Sequence, residues 1–200
     1  MRTRGDSADY ALSKEEAEKV VGKCTNLIER VIIKSQIFLG LRIQELCHLN
    51  SSWVSANGTI RIPSSQNCNC YECRTYRNFV WKPKTHAGAR TLLLSAPIAA
   101  DLQIFLQQQP GGLNLTRQSV WEVTKRILIH AGIRRKGLAG NTAFPHALRA
   151  TFANLLIESG SDAAGLAYAM GWANINVSDR YIRTARAKNL AFEQIQRAFG

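Results

Sequence analysis

PHALRATFANLLIESGSDAAGLAYAMGWANINVSDRY, residues 145–181, is the stretch that decides how this chain is read. A helix is predicted from about Pro145 to Ser159, with further helices near 162–170, 176–183 and 188–198. His146 and Arg149 are three residues apart, so on a helix they share one face and can grip one anion together. Alone, that pair is equally at home on the solvated face of any basic protein. Trp172 then follows in AMGW, and nine positions further on Tyr181 closes WANINVSDRY.

Working outward, Ser13 and Glu16 form a capping box, so a helix should begin near Lys14 and carry Val20, Val21, Cys24, Leu27 and Ile28 at helical spacing. A second helical stretch is expected over 31–48, interrupted by Gly40 just before Arg42. Residues 53–62 read as two strands around Asn57-Gly58, a strong hairpin signal. VWKPK and RTLLLS are β-prone and joined by THAGA, which predicts a hairpin tipped by Lys84. Helices over about 97–109, closed by Pro110-Gly111-Gly112, and 117–131 precede a basic loop, IRRKGLAGN. The fold class expected is α+β, mainly α with a small antiparallel β-sheet: residues 1–11 a flexible segment, residues 12–200 one domain.

Two hundred residues can bury a sizeable core, and 46% hydrophobic against 20% charged is a globular balance. No uninterrupted apolar run is long enough to span a membrane. The opening MRTRGDSADY is polar and lacks the apolar core of a secretory signal, so a cytoplasmic location without disulfides is expected. Lys and Arg number 26 against 14 Asp and Glu, a formal charge of +12 whose surplus lies beyond residue 60. Such a surface concentrates polyanions, and nucleic acid leads the candidate partners.

The order His146-x-x-Arg149, Gly171-Trp172, Tyr181 resembles the second box of the tyrosine recombinase, or phage integrase, superfamily. The first box is present as LGLRIQELCHL, with Arg42 as its arginine and Glu45 as the acid that follows, and Lys84 matches the family's hairpin lysine. The resemblance spans residues 12–197. It implies a helical catalytic domain with Arg42, Lys84, His146, Arg149, Trp172 and Tyr181 as site residues, and a site-specific recombinase that cuts and rejoins DNA through a 3′-phosphotyrosyl link. It also implies tetramers on two duplexes and no requirement for metal, ATP or nucleotide. Most relatives carry a DNA-clasping domain ahead of this one, and too few residues precede Arg42 to hold it. The other readings are a type IB topoisomerase-like nicking and closing enzyme, or an inactive DNA-binding module. A cysteine-bearing insertion gives a weak likeness to archaeal integrases, hence to a virus, plasmid or provirus source.

The chemistry of the residues agrees with the resemblance. Charge grows on the non-bridging oxygens as a nucleophile adds to a phosphodiester, so Arg42 and Arg149 would stabilise the transition state above the ground state. A tyrosine hydroxyl, with a solution pKa of about 10, needs a base or a cationic field, which His146 and the arginines can supply. Lys84 is the candidate acid for the leaving 5′ oxygen, with Lys82 as its neighbour and rival. Trp172 cannot titrate and offers an indole N–H and packing behind the Tyr181 helix. The last helix, Lys188 to Phe199, either docks on a neighbouring protomer or packs its Leu190, Phe192, Ile195 and Phe199 in cis.

Cys68, Cys70 and Cys73 lie within NCNCYEC, where three thiols suggest a structural zinc, with His86 a conceivable fourth ligand, or else free thiols. Cys24 and Cys47 sit at apolar helical positions and read as core. Asp101 with Glu122, or Asp162 with Asp179, are the carboxylates that a metal-dependent nuclease would draw on, but they show no two-metal spacing.

Overall fold

The computed structural model describes residues 10–133 and 145–199, apart from the side chains of residues 188 and 189. The opening nine residues and nearly all of the expected basic loop lie outside them. The described elements run α1 (Lys14–Val21), α2 (Leu27–Phe38), α3 (Ile43–Leu46), β1 (Val54–Ser55), β2 (Thr59–Ile62), β3 (Gln66–Asn67), α4 (Tyr71–Tyr76), β4 (Val80–Trp81), β5 (Arg90–Leu93), α5 (Ala96–Gln108), α6 (Arg117–His130), α7 (Pro145–Glu158), α8 (Ala163–Met170) and α9 (Ile175–Phe199). The mainly helical α+β expectation holds. No helix among the described residues is long and apolar enough to cross a membrane.

The capping box forms as expected: the Glu16 amide donates to Ser13 Oγ at 3.2 Å and the Ser13 amide to Glu16 Oε2 at 2.9 Å. The apolar run from Val20 to Ile28 spans two helices instead of one. Asn26 caps α2 by accepting from the Glu29 amide, and Glu29 in turn accepts from the Thr25 amide at 2.7 Å, which turns the chain between α1 and α2. The second stretch begins earlier than predicted and breaks after Phe38. Gly40 adopts φ +55, and its Cα faces the Phe152 ring so closely that a Cβ would collide with it.

α2 is the central post of the fold. Val31, Ile32, Ile33 and Ile37 are fully buried, feeding two separate clusters. A helix with apolar groups on several faces must be packed on several sides, and α5, α7, α1 and α6 all lie against it. Each of these side chains contributes about 1.5–3 kcal/mol of burial. Towards α5, Arg30 and Lys34 also reach Asp101 at 3.1 and 2.6 Å.

The Asn57-Gly58 hairpin is present, with Gly58 at φ +76. The second hairpin is not built as predicted. β5 pairs antiparallel with β2, giving a sheet ordered β1-β2-β5, whereas β4 pairs with β3 in a separate ribbon. Pro83 has no N–H to continue a ladder beyond Trp81, and Ile60 opposite Leu92 draws β5 onto β2 instead. Lys84 therefore lies in the long connection between β2 and β5. The two helices expected near 176–183 and 188–198 are one, because the intervening RTARAK has no glycine or proline and is rich in helix formers.

The turn after α5 yields a test. Gly111 has open space where a Cβ would go, while Gly112, at φ +89, abuts the Leu49 carbonyl. We expect Gly111→Ala to raise stability in urea denaturation by up to about 1 kcal/mol, and Gly112→Ala to lower it by more than that. Equal effects of the two substitutions would contradict the described turn.

Candidate active site

The C-terminal end of α8 leaves carbonyls without helical partners and carries partial negative charge. Three arginines from three elements meet it. Arg90 Nε donates to the Ala169 carbonyl at 2.9 Å, Arg149 Nη2 to that of Met170, and Arg42 Nη2 to that of Gly171 at 2.8 Å. Thr85 Oγ1 also donates to Gly171, at 3.3 Å. This explains the glycine of AMGW: it ends α8 at φ +58, and a Cβ there would lie 2.9 Å from Arg90 Nη1 and 3.0 Å from the Ala87 carbonyl.

Glu45 holds the same arginines from the opposite side. Its carboxylate, only 1% exposed, accepts from Arg42 Nη1 at 2.7 Å, from the Arg42 amide at 2.9 Å, and from Arg90 Nη1 and Nη2, both at 3.1 Å. Burial alone would raise its pKa; the charges of Arg90, Arg149 and Arg42 overcome that and bring it down to about 2. Arg149 is buried too, and donates its other Nη to the Gly40 carbonyl. Burial first, and the Arg42 cation second, press against its charge. A guanidinium has five N–H donors, so holding two carbonyls does not exhaust it.

Tyr181, 4% exposed, packs in a cluster with Met170, Leu166 and Ile182, its ring 5.2 Å from that of Trp172. Trp172 does lie against the Tyr181 helix, as predicted. Tyr181 is near enough to Arg149 to enter its electrostatic surroundings. His146 is withdrawn from water enough to lower its pKa, and the cations of Arg149, Lys84 and Arg42 push in the same direction. Five of the six expected residues thus stand in one electrostatic neighbourhood, and Trp172 joins it through Tyr181. Of the other tyrosines, Tyr168 accepts from the Thr91 amide at 3.1 Å and Tyr10 is buried.

Two residues with a part in this region were missed from the sequence. Arg90 was read as an ordinary strand residue; the available signal was the alternation in RTLL, which turns a charge inward beside Leu92. His48 was passed over as part of the first box. It joins Cys68, Cys70 and Cys73 in a group of potential metal ligands, whereas His86 is exposed and outside that group. The remaining cysteines behave as expected of semi-buried thiols, burial pushing Cys24 up to about 11 and Cys47 to about 12. Asp101 is tied to Arg30 and Lys34, and Glu122 accepts from Gln118 at 2.8 Å.

The lowered pKa of His146 has a definite sign. The ring is neutral at pH 7 and takes a proton only below the ordinary value of about 6.5, so stability falls as pH drops through that value towards the folded one. A ring titration followed by NMR should find it below 6.5, and Lys84→Ala should move it upward by removing a cation. A midpoint at or above 6.5, or one indifferent to Lys84, would contradict this arrangement.

The sequence model of the phage integrase family matches residues 11–188. The tyrosine recombinase XerD of Xanthomonas axonopodis pv. citri is 28% identical over 163 residues, covering 80% of this chain and 52% of that protein. The tyrosine recombinase XerH of Campylobacter jejuni is 28% identical over 189 residues, covering 90% of this chain and 49% of that protein. The chain thus spans about half the length of these curated relatives. Among solved structures, a XerH site-specific recombinase bound to palindromic difH substrate in a post-cleavage complex superposes with a TM-score of 0.66 at 23% identity, covering 94% of this chain and 53% of that one. At that identity the likeness speaks to the fold alone. Together with the match over most of its length, these findings show that the chain belongs to the phage integrase family.

Proposed function

We propose that this chain is the catalytic domain of a site-specific DNA recombinase, with Tyr181 as nucleophile, Arg42 and Arg149 as the phosphate clamp, His146 as proton acceptor and Lys84 as proton donor. One observation carries the reading: three guanidiniums, those of Arg42, Arg90 and Arg149, surround the single carboxylate of Glu45 beside a tyrosine. The cluster is short of negative charge. A phosphodiester brings one, and brings more as its non-bridging oxygens charge up in the transition state.

The step balances without an outside reagent. Tyr181 Oη bonds to phosphorus while the bond from phosphorus to the 5′ oxygen breaks. The phenol proton passes to neutral His146, and the leaving oxygen takes one from Lys84. The products are a 3′-phosphotyrosyl link and a 5′ hydroxyl, and attack by a 5′ hydroxyl of a second duplex reverses the chemistry on a new partner. Arg42 and Arg149 act through charge and bidentate geometry that lysine would not reproduce. Trp172 supports the Tyr181 ring. Because ester bond energy is conserved, the sequence of steps calls for no ATP, and the cysteine cluster has a structural part, not a chemical one. Self-association on two duplexes belongs to the same reading; Leu190, Ile195 and Phe199 on α9 are 55%, 56% and 88% exposed, which favours docking on a neighbour over packing in cis.

The decisive test is covalent trapping on a nicked duplex selected from a random pool by the chain's own binding. Tyr181→Phe should keep binding and lose the adduct, and Arg42→Ala or Arg149→Ala should slow cleavage by about 100-fold or more. An adduct that persists in Tyr181→Phe would move the nucleophile elsewhere.

Lys84 can be separated from its neighbours by chemistry. With sulfur replacing the bridging 5′ oxygen, the leaving thiolate needs no proton, so the slow cleavage by Lys84→Ala should return nearly to normal while Arg42→Ala stays slow. Rescue of Lys82→Ala in its place would transfer the role to Lys82.

A further inference from the structure

We propose that His48, Cys68, Cys70 and Cys73 bind one zinc ion in a tetrahedral site that ties the connection between β2 and β5 to the end of α3. The ligand atoms all lie within 4.8 Å of one another. Zinc–sulfur bonds of about 2.3 Å and a zinc–nitrogen bond of about 2.0–2.1 Å set a tetrahedral edge of about 3.6 Å from nitrogen to sulfur. His48 Nε2 stands 3.5 Å from Cys70 Sγ and 3.3 Å from Cys73 Sγ. These separations already approach those of a coordination shell.

The histidine is also turned the right way. Its Nδ1 lies 2.7 Å from the Gln44 carbonyl, which can only accept, so Nδ1 carries the hydrogen and Nε2 faces the sulfurs with its lone pair. Stacking on Trp81, with centroids 5.1 Å apart and planes 20° from parallel, holds the ring in that pose. Protonated thiols account for this less well. One lone pair accepts one S–H, yet two sulfurs crowd it; a single cation satisfies both.

Main-chain donors complete the cradle. The Cys70 amide donates to Cys68 Sγ and the Cys73 amide to Cys70 Sγ, each at 3.4 Å, as suits sulfur carrying negative charge. Three thiolates and an imidazole are soft to borderline ligands, which select zinc over magnesium or calcium.

The site matters because of what it joins. Arg42 immediately precedes α3, the helix contains Glu45, and His48 follows two residues after its end. The three cysteines lie in the connection that carries Lys84, where β3 and β4 pair over only two residues each. A two-stranded ribbon is marginal on its own, so a metal cross-link would supply the rigidity it lacks. Metal binding stands independently of the proposed recombinase activity; its use in presenting Lys84 rests on that reading.

The full chain, expressed with zinc and purified without chelator, should contain one zinc per molecule by elemental mass spectrometry. Exchange to Co²⁺ should give tetrahedral ligand-field bands with thiolate-to-cobalt charge transfer. His48→Cys should retain the metal with stronger charge transfer, Cys68→Ser and Cys70→Ser should lose stoichiometric metal, and His86→Ala should keep it. Chelation of the wild-type chain should raise hydrogen exchange across residues 66–81 and leave α2 unchanged. Substoichiometric zinc in folded wild-type protein, metal lost with His86→Ala, or an unchanged cobalt spectrum in His48→Cys would each overturn the site. Because the metal is read directly, a chain that binds zinc but never forms a DNA adduct would defeat the recombinase reading and spare this one.

Discussion

A carboxylate sealed from water has to be matched by fixed cations, and Glu45 imposes that condition on most of the molecule. Removing one partner of such a buried pair typically costs about 3–5 kcal/mol, so its surroundings cannot drift independently. Arg42 stands at the N-terminus of the same short helix, Arg90 arrives from the sheet, and Arg149 acts from α7. The same arginines close on the last carbonyls of α8, so one carboxylate and one helix terminus clamp them from two sides. Gly40 and Gly171 are the backbone concessions that let these pieces approach, each in the left-handed region and each facing a neighbour that leaves no room for a side chain.

That arrangement also explains why burial and charge coexist here. A buried guanidinium is normally costly, and Arg149 is pressed further by Arg42. Glu45 offsets part of the repulsion, and the helix-end carbonyls offset more without adding full negative charge. What remains is an environment with positive potential and few degrees of freedom, suited, on the proposed reading, to receiving an anion without reorganising. His146, kept neutral by burial first and by neighbouring cations second, can accept a proton at a pH where an imidazolium would only repel one.

Much of this was legible in the sequence, because it was local. The capping box at Ser13, the Asn57-Gly58 turn and the His146–Arg149 spacing each depend on a few adjacent residues, and the structure has all three. What escaped was set by tertiary pairing. The partner of β5 depends on Ile60 and Leu92 meeting across the sheet, not on the nearby VWKPK run. His48 is twenty residues from Cys68, the first cysteine of the cluster, and folding alone brings its ring to the thiols. Arg90 looked like a strand residue of no consequence because its partner, Glu45, lies on the far side of the sheet's first two strands in sequence. The continuous α9 is the reverse case: helix propensity was strong throughout, and only the assumption of a break was mistaken.

The unbroken α9 has a mechanical consequence. At 1.5 Å per residue, Tyr181 lies about 9 Å from the start of this helix and Phe199 about 36 Å from it. Pivoted at Ile175, the helix has a gear ratio of about one to four, so moving its tail by about 4 Å shifts the tyrosine by about 1 Å. A misplacement of about 1 Å at a reacting centre can cost about 100-fold in rate. With Tyr181 as the nucleophile proposed above, whatever grips the distal apolar end is therefore handling its tiller: a coarse, easily made movement at the surface is geared down to the fine adjustment that such bond breaking would need.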